Sequence, residues 1–147
     1  MNQMKSSDML GFGAVLSVLA VASSPVLSAP RDAVYQPKAG SAERKAIFNA
    51  LRVPVGRSLK HAVIFQGTLK ASKSGWAFFS GGALLDDGKN GKPISNEGSG
   101  GEMAALLRHS GGRWRVLSWG FGGGMDEIES EKRKYPQAPR ALFHSHD

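Results

Sequence analysis

The chain has 147 residues, a formal charge of +7 and no cysteine. The missing cysteine excludes a disulfide framework, thiol catalysis, thiolate metal sites and lipid anchoring through an N-terminal cysteine. The excess of basic residues favours anionic partners; it speaks to solubility and association rather than to fold.

Lys5 and the α-amino group form a short positive segment, weakened by Asp8, ahead of the apolar run Met9–Ala22 (MLGFGAVLSVLAVA) and the small-residue stretch SSPVLSAP. An apolar core this short suits an export signal better than a membrane span. Val26 and Ser28 fit the small-residue rule at the −3 and −1 positions. A signal peptide over residues 1–28, cleaved after Ser28, is therefore expected, with retention as an uncleaved anchor the alternative. The expected location is the periplasm or the exterior of a bacterial cell, with no further membrane span, and export lowers the case for a nucleic-acid partner.

Ala29–Gly40 (APRDAVYQPKAG) carries two prolines and no apolar period, and reads as an extended leader. Ser41–Arg52 is the clearest helix, capped by Ser41 or Gly40, with Ile47, Ala50 and Leu51 on one stripe. Pro54 is expected to stop it. Lys60–Lys70 alternates with period two, placing Val63, Phe65 and Leu69 on one face. Ser72–Gly75 is a turn, and Trp76–Leu85 the next strand, bent or bulged at Gly81-Gly82. Asp86–Gly101 is a long polar loop with five glycines, a length that signals function or mobility.

Glu102–His109 and Arg113–Trp119 pair around the turn Ser110-Gly111-Gly112. The run MAALL contains good helix formers, but it is short, bounded by glycines and followed after the turn by a partner of matching length. Strict alternation puts Trp114, Val116 and Ser118 on one face and Arg113, Arg115, Leu117 and Trp119 on the other. Gly120–Gly124 ends the strand, Asp126–Lys134 forms a short helix with acids first and bases last, and Tyr135–Phe143 is an extended tail. These elements predict an α+β fold: one main helix on a four-stranded antiparallel sheet, in a single domain over residues 41–143 followed by a tail over 144–147.

The segments ERKAIFNALR, WAFFSG, ALLRHSGGRWRVLSWGFG and YPQAPRALF resemble a family of small exported proteobacterial proteins of uncharacterised function. The layout is also similar to the cystatin-like and nuclear-transport-factor-2-like folds. That likeness implies a helix lying across a curved antiparallel sheet. It implies no particular activity, since such folds host enzymes, inhibitors and binding modules.

Few motifs carry chemistry. GFGGGMDE (Gly120–Glu127) follows a strand and opens a helix, but its spacing misses the dinucleotide fingerprint and its acids oppose phosphate. DDGKNG (Asp86–Gly91) lacks the ligand positions of a calcium loop and reads as turn chemistry. His144, His146 and Asp147 are weak metal candidates on a terminal tail. His61 and His109 stand alone in the sequence, and Glu97, Glu102, Asp126 and Glu127 have no readable convergence. Nothing calls for a cofactor or names a catalytic residue. Arg108, Arg113 and Arg115, interleaved with Trp114 and Trp119, are the best candidate site: a cationic platform with aromatic neighbours, suited to carboxylate, phosphate or sugar. The binding residues expected are Arg108, Arg113, Arg115 and Trp119. The function expected is a non-catalytic exported binding module, of an inhibitor or immunity kind, for an acidic protein or an anionic envelope polymer. A small enzyme with a pocket between helix and sheet, and an envelope assembly component docking through its tail, are the alternatives.

Overall fold

The computed structural model describes residues 32–94, 101–122 and 125–144. The expected export signal, its cleavage position, Glu97 and the terminal His146 and Asp147 lie outside the described residues. The first element is a two-residue strand, β1 (Val34–Tyr35), inside the segment expected to be a plain leader. Helix α1 (Ala42–Leu59) follows, with Ser41 as its N-cap: the serine side chain accepts from the Arg44 N–H, satisfying one of the donors a helix start leaves unpaired.

α1 does not stop where expected, and Pro54 lies inside it. The proline removes one backbone hydrogen bond, yet the apolar stripe Ile47, Leu51 and Val55 continues across it at four-residue spacing, with all three side chains fully buried. Burial of Val55 and packing of Leu59 on the core outweigh the broken bond. The helix ends at Lys60, which takes the left-handed conformation (φ 54°).

The sheet comprises β1, β2 (Val63–Ser72), β3 (Trp76–Leu85), β4 (Lys92–Pro93), β5 (Glu102–Ser110) and β6 (Arg113–Phe121), all antiparallel. Its order is β1-β2-β3-β5-β6, with β4 continuing the β5 side of β3. The four long strands are those expected. β1 and β4 bring the sheet to six; each is only two residues long, too short for a side-chain period to announce it. β4 and the buried Ile94 lie in the stretch expected to be all loop.

Two irregularities change which residues share a face. At Gly81-Gly82, where a bend or a bulge was expected, there is no bulge: β2 and β3 pair in unbroken register and Gly67 stands directly opposite Gly81. The glycines serve a close backbone approach instead: a Cβ on Gly81 would press on the Gln66 carbonyl and lie 2.6 Å from the Gly67 Cα. The bulge is on β6. Leu106 pairs with Ser118 and Leu107 with Val116, so Leu117 is the extra residue. Beyond it the alternation reverses, and Trp119 joins Trp114 and Val116 against the α1-facing core instead of lying with the arginines. The bulge thus corrects the face assignment that strict alternation gives.

The sheet is covered on both sides, making three layers where two were expected. On one face α1 buries a cluster that includes Phe48, Phe65 and Phe79, whose ring centroids lie 5.5–5.6 Å apart. On the other, helix α2 (Met125–Lys134) leads through Tyr135 to a single 3-10 turn, Arg140–Phe143. Leu142 and Phe143 there close over Trp76, Phe78 and Leu106. The segment expected to be an extended tail is therefore part of the core. Lys70, only 4 % exposed on this face, donates to the backbone carbonyl of His144. No helix among the described residues is long and apolar enough to cross a membrane.

Leu142 is 1 % exposed, so Leu142→Ala is expected to cost about 3 kcal/mol in a urea unfolding curve, within the range for buried leucine truncation. Gly81→Ala forces backbone against backbone and is expected to lose about 3 kcal/mol or more by the same measurement, overpacking with no flexible side chain to yield.

Candidate binding cleft

Sequence order scatters the ionisable residues, but the fold gathers several of them at one end of the sheet, where the β2–β3 turn and the β5–β6 turn face the first half of α1. A cleft of about 620 Å³ opens there. α1 contributes Glu43, Ala46 and Ala50; β1 contributes Tyr35; the β2–β3 turn contributes Ser72, Lys73 and Gly75; the hairpin contributes His109, Gly112, Arg113 and Trp114. The volume exists because small side chains line it. Ala46 and Ala50 keep the helix surface low, and both turns pass through glycines with positive φ.

One wall is an ordered polar pair. The Tyr35 hydroxyl donates to Glu43 Oε1 at 2.6 Å. That bond, then burial and the charges of Glu43 and Asp32, push the phenol from its ordinary 10.0 up to about 12. At neutral pH the phenol is therefore a fixed donor. Asp32, beside it in sequence order, is spent on the turn: its carboxylate accepts from the Ser74 backbone N–H at 3.1 Å and from the Ser74 hydroxyl. The floor of the turn is fixed by Ser72, 2 % exposed, whose hydroxyl accepts from the Trp76 N–H. His109 packs against the Trp114 ring at 5.1 Å with planes inclined by 63°, and the two are cross-strand partners.

The residues singled out in the sequence do not form one platform. Arg113 begins β6 at the tight turn and lines the cleft. Arg108 and Arg115 are a directly opposed cross-strand pair on the sheet face away from α1, in one row with Trp76. The Arg108 guanidinium lies 4.3 Å from the Trp76 ring centroid, a cation–π contact that holds it against the apolar face. Arg113 and Arg115 are exposed. Trp119 is separated from all three arginines, half-buried on the α1 side with its ring edge-on to Phe121 at 5.8 Å. By register Arg113 shares with Arg108 and Arg115 the face away from α1, and at the rim beside the turn it also lines the cleft. The residues the sequence did not offer for a site are Tyr35, Glu43 and Lys73, and it offered His109 and Trp114 only as a lone histidine and a core aromatic. Their convergence depends on β1 and the turns, which carry no motif.

The remaining candidates resolve simply. In Asp86–Gly91, Asp86 accepts from Gly88 N–H, and Asp87 from Lys89 and Gly91 N–H at 3.0 and 2.8 Å. These are side-chain-to-backbone turns, and the Gly91 bond leads the lowering of the Asp87 carboxyl below its usual range. Among the described residues no group of three or more His, Asp or Glu side chains is placed to hold a metal ion. Comparison with family models, curated proteins and solved structures finds no match to the chain.

The raised phenol is lost as stabilisation when pH climbs from the unfolded value near 10 through about 12, and is fully present below that window. Ultraviolet titration should therefore show a tyrosine step near 12, and Tyr35→Phe should abolish it. Glu43→Gln should bring that step back toward 10.0, since the charged acceptor is its largest cause.

Proposed function

We propose that this protein is an exported, non-catalytic binding module that engages an anionic envelope polymer or acidic protein with the end of the sheet carrying Arg108, Arg113, Arg115 and Lys73. The observation that carries the reading is the Arg108–Arg115 pairing. Like charges placed directly opposite on a sheet are destabilising, and the only ion pair among the described residues is Lys132–Glu129. Among the described residues the repulsion has no carboxylate partner, and an anion bridging the two guanidinium groups would relieve it with bidentate hydrogen bonds. Arg113 and the exposed Lys73 extend the same positive potential around the tip to the cleft. The layout, with a helix between the first two strands of an antiparallel meander, is similar to the cystatin-like arrangement. By analogy alone this supports a binding or inhibitory role.

A small enzyme is the second reading, favoured by the cleft's ionisable lining. Against it, Glu43 in the cleft accepts from a phenol that stays protonated at neutral pH, so this pair is not an activated nucleophile beside a free base. The assembly reading through the tail loses its anchors, because Leu142 and Phe143 are buried within the domain.

The test is retention on an acidic polysaccharide resin against a neutral one, across a salt gradient. Retention on the acidic resin that weakens with salt is expected, and Arg108→Ala with Arg115→Ala should lower affinity by about tenfold, the scale of a lost bidentate contact. Equal retention by the double variant and the parent would sink the proposal.

A further inference from the structure

We infer that the cleft between α1 and the two hairpin turns binds a single acidic sugar residue, a pyranose ring bearing a carboxylate. This deepens the reading above and rests on it: the arginine pair on the back of the sheet would hold the polymer, and the cleft would read one unit of it.

The cleft presents three kinds of surface, and an acidic sugar answers each. Trp114 with Ala46 and Ala50 gives an apolar side, onto which the C–H face of a pyranose packs. Glu43 gives an acceptor for ring hydroxyls: its Oε1 accepts from the Tyr35 hydroxyl, and its other oxygen has no protein donor among the described residues. Lys73 and Arg113, exposed at the rim of the cleft, give the charge for the carboxylate, and a guanidinium that swings over that rim offers the planar fork a carboxylate matches.

Competing ligands fit worse. An apolar chain would leave Glu43, Lys73, His109 and Arg113 desolvated without partners. A nucleotide would stack on Trp114 but bring its doubly charged phosphate into a cleft that already holds the Glu43 carboxylate. A simple carboxylate would use the cations and leave the apolar side and the acceptor empty. The volume of about 620 Å³ lies within the usual range for small-molecule sites, and admits a monosaccharide with room for the chain to enter and leave.

The experiment follows the tryptophan indole N–H signals of the purified protein by NMR while glucuronate, glucose, glutarate or a mononucleotide is added. Glucuronate is expected to shift the Trp114 indole and the Lys73 and Gly112 amides, with glucose and glutarate at least tenfold weaker. Ala46→Phe fills the cleft from an exposed helix position, and Arg113→Ala removes an exposed cation; each should weaken glucuronate at least tenfold. Both positions are exposed, so loss of fold is not the expected cause, and unchanged shifts of the Trp119 indole report an intact core. The inference is overturned if glucuronate leaves Trp114 unmoved, if glutarate or the nucleotide matches it, or if Ala46→Phe binds like the parent. Acidic resin retention that survives such a result keeps the arginine-pair reading and removes only the cleft. Glucuronate binding at Trp114 without resin retention does the reverse.

Discussion

The constraint on which this fold depends is that β3 is apolar on both sides. Trp76 and Phe78 point one way, Ala77 and Phe79 the other, and all four are buried. A strand of this kind cannot sit in a sheet with one wet face. Two covers are needed, and the chain supplies them on either side of the four long strands in sequence: α1 before them and the Tyr135–Phe143 segment after them. Everything at the candidate cleft follows from this arrangement. Because α1 packs across β6 and β2 over the first layer, its N-terminal turns overhang the hairpin tips. Because Arg108 belongs to the second layer, it is drawn onto Trp76 and away from the cleft.

The β6 bulge at Leu117 is the device that lets one strand serve both layers. Without it, Trp119 and Phe121 would face the tail, where Phe78, Leu106 and Phe143 already fill the space. With it, Trp114, Val116, Trp119 and Phe121 all support the α1 side. Of the apolar β6 side chains Leu117 turns toward the tail, and its carbonyl accepts from the Tyr135 hydroxyl at 3.5 Å. The bulge also sets the functional geometry: it comes after Arg113 and Arg115, so the arginines keep the alternation of the hairpin tip while the aromatic residues beyond it change sides.

Much of the architecture could be read from the residues, and the failures have physical causes. The strands β2, β3, β5 and β6 follow from period-two patterning and glycine-bounded turns, and the α1 start follows from Ser41. The α1 end does not, because Pro54 is a local signal and the burial of Val55 that overrides it is a tertiary one. The run WAFF did hint at a doubly covered strand, since it is apolar at consecutive positions. Trp119 was misassigned because a bulge shifts parity without leaving a mark in composition. Of the cleft's two cations, Arg113 was legible in the basic cluster and Lys73 was not. The cleft was not: Tyr35 and Glu43 meet Trp114 only through β1, a two-residue strand whose pairing with Ser72 and Ala71 belongs to the β2 edge as much as to its own sequence.

The link from Lys70 to the His144 carbonyl spans 74 positions of sequence, and beside it Leu142 and Phe143 complete the second layer. Contacts so remote carry their loop-closure entropy to the last step of folding. A nascent chain therefore lacks one entire cover of its central strand until Phe143 has emerged from the ribosome. Every shorter nascent intermediate exposes Trp76 and Phe78, a surface that a holding chaperone would recognise.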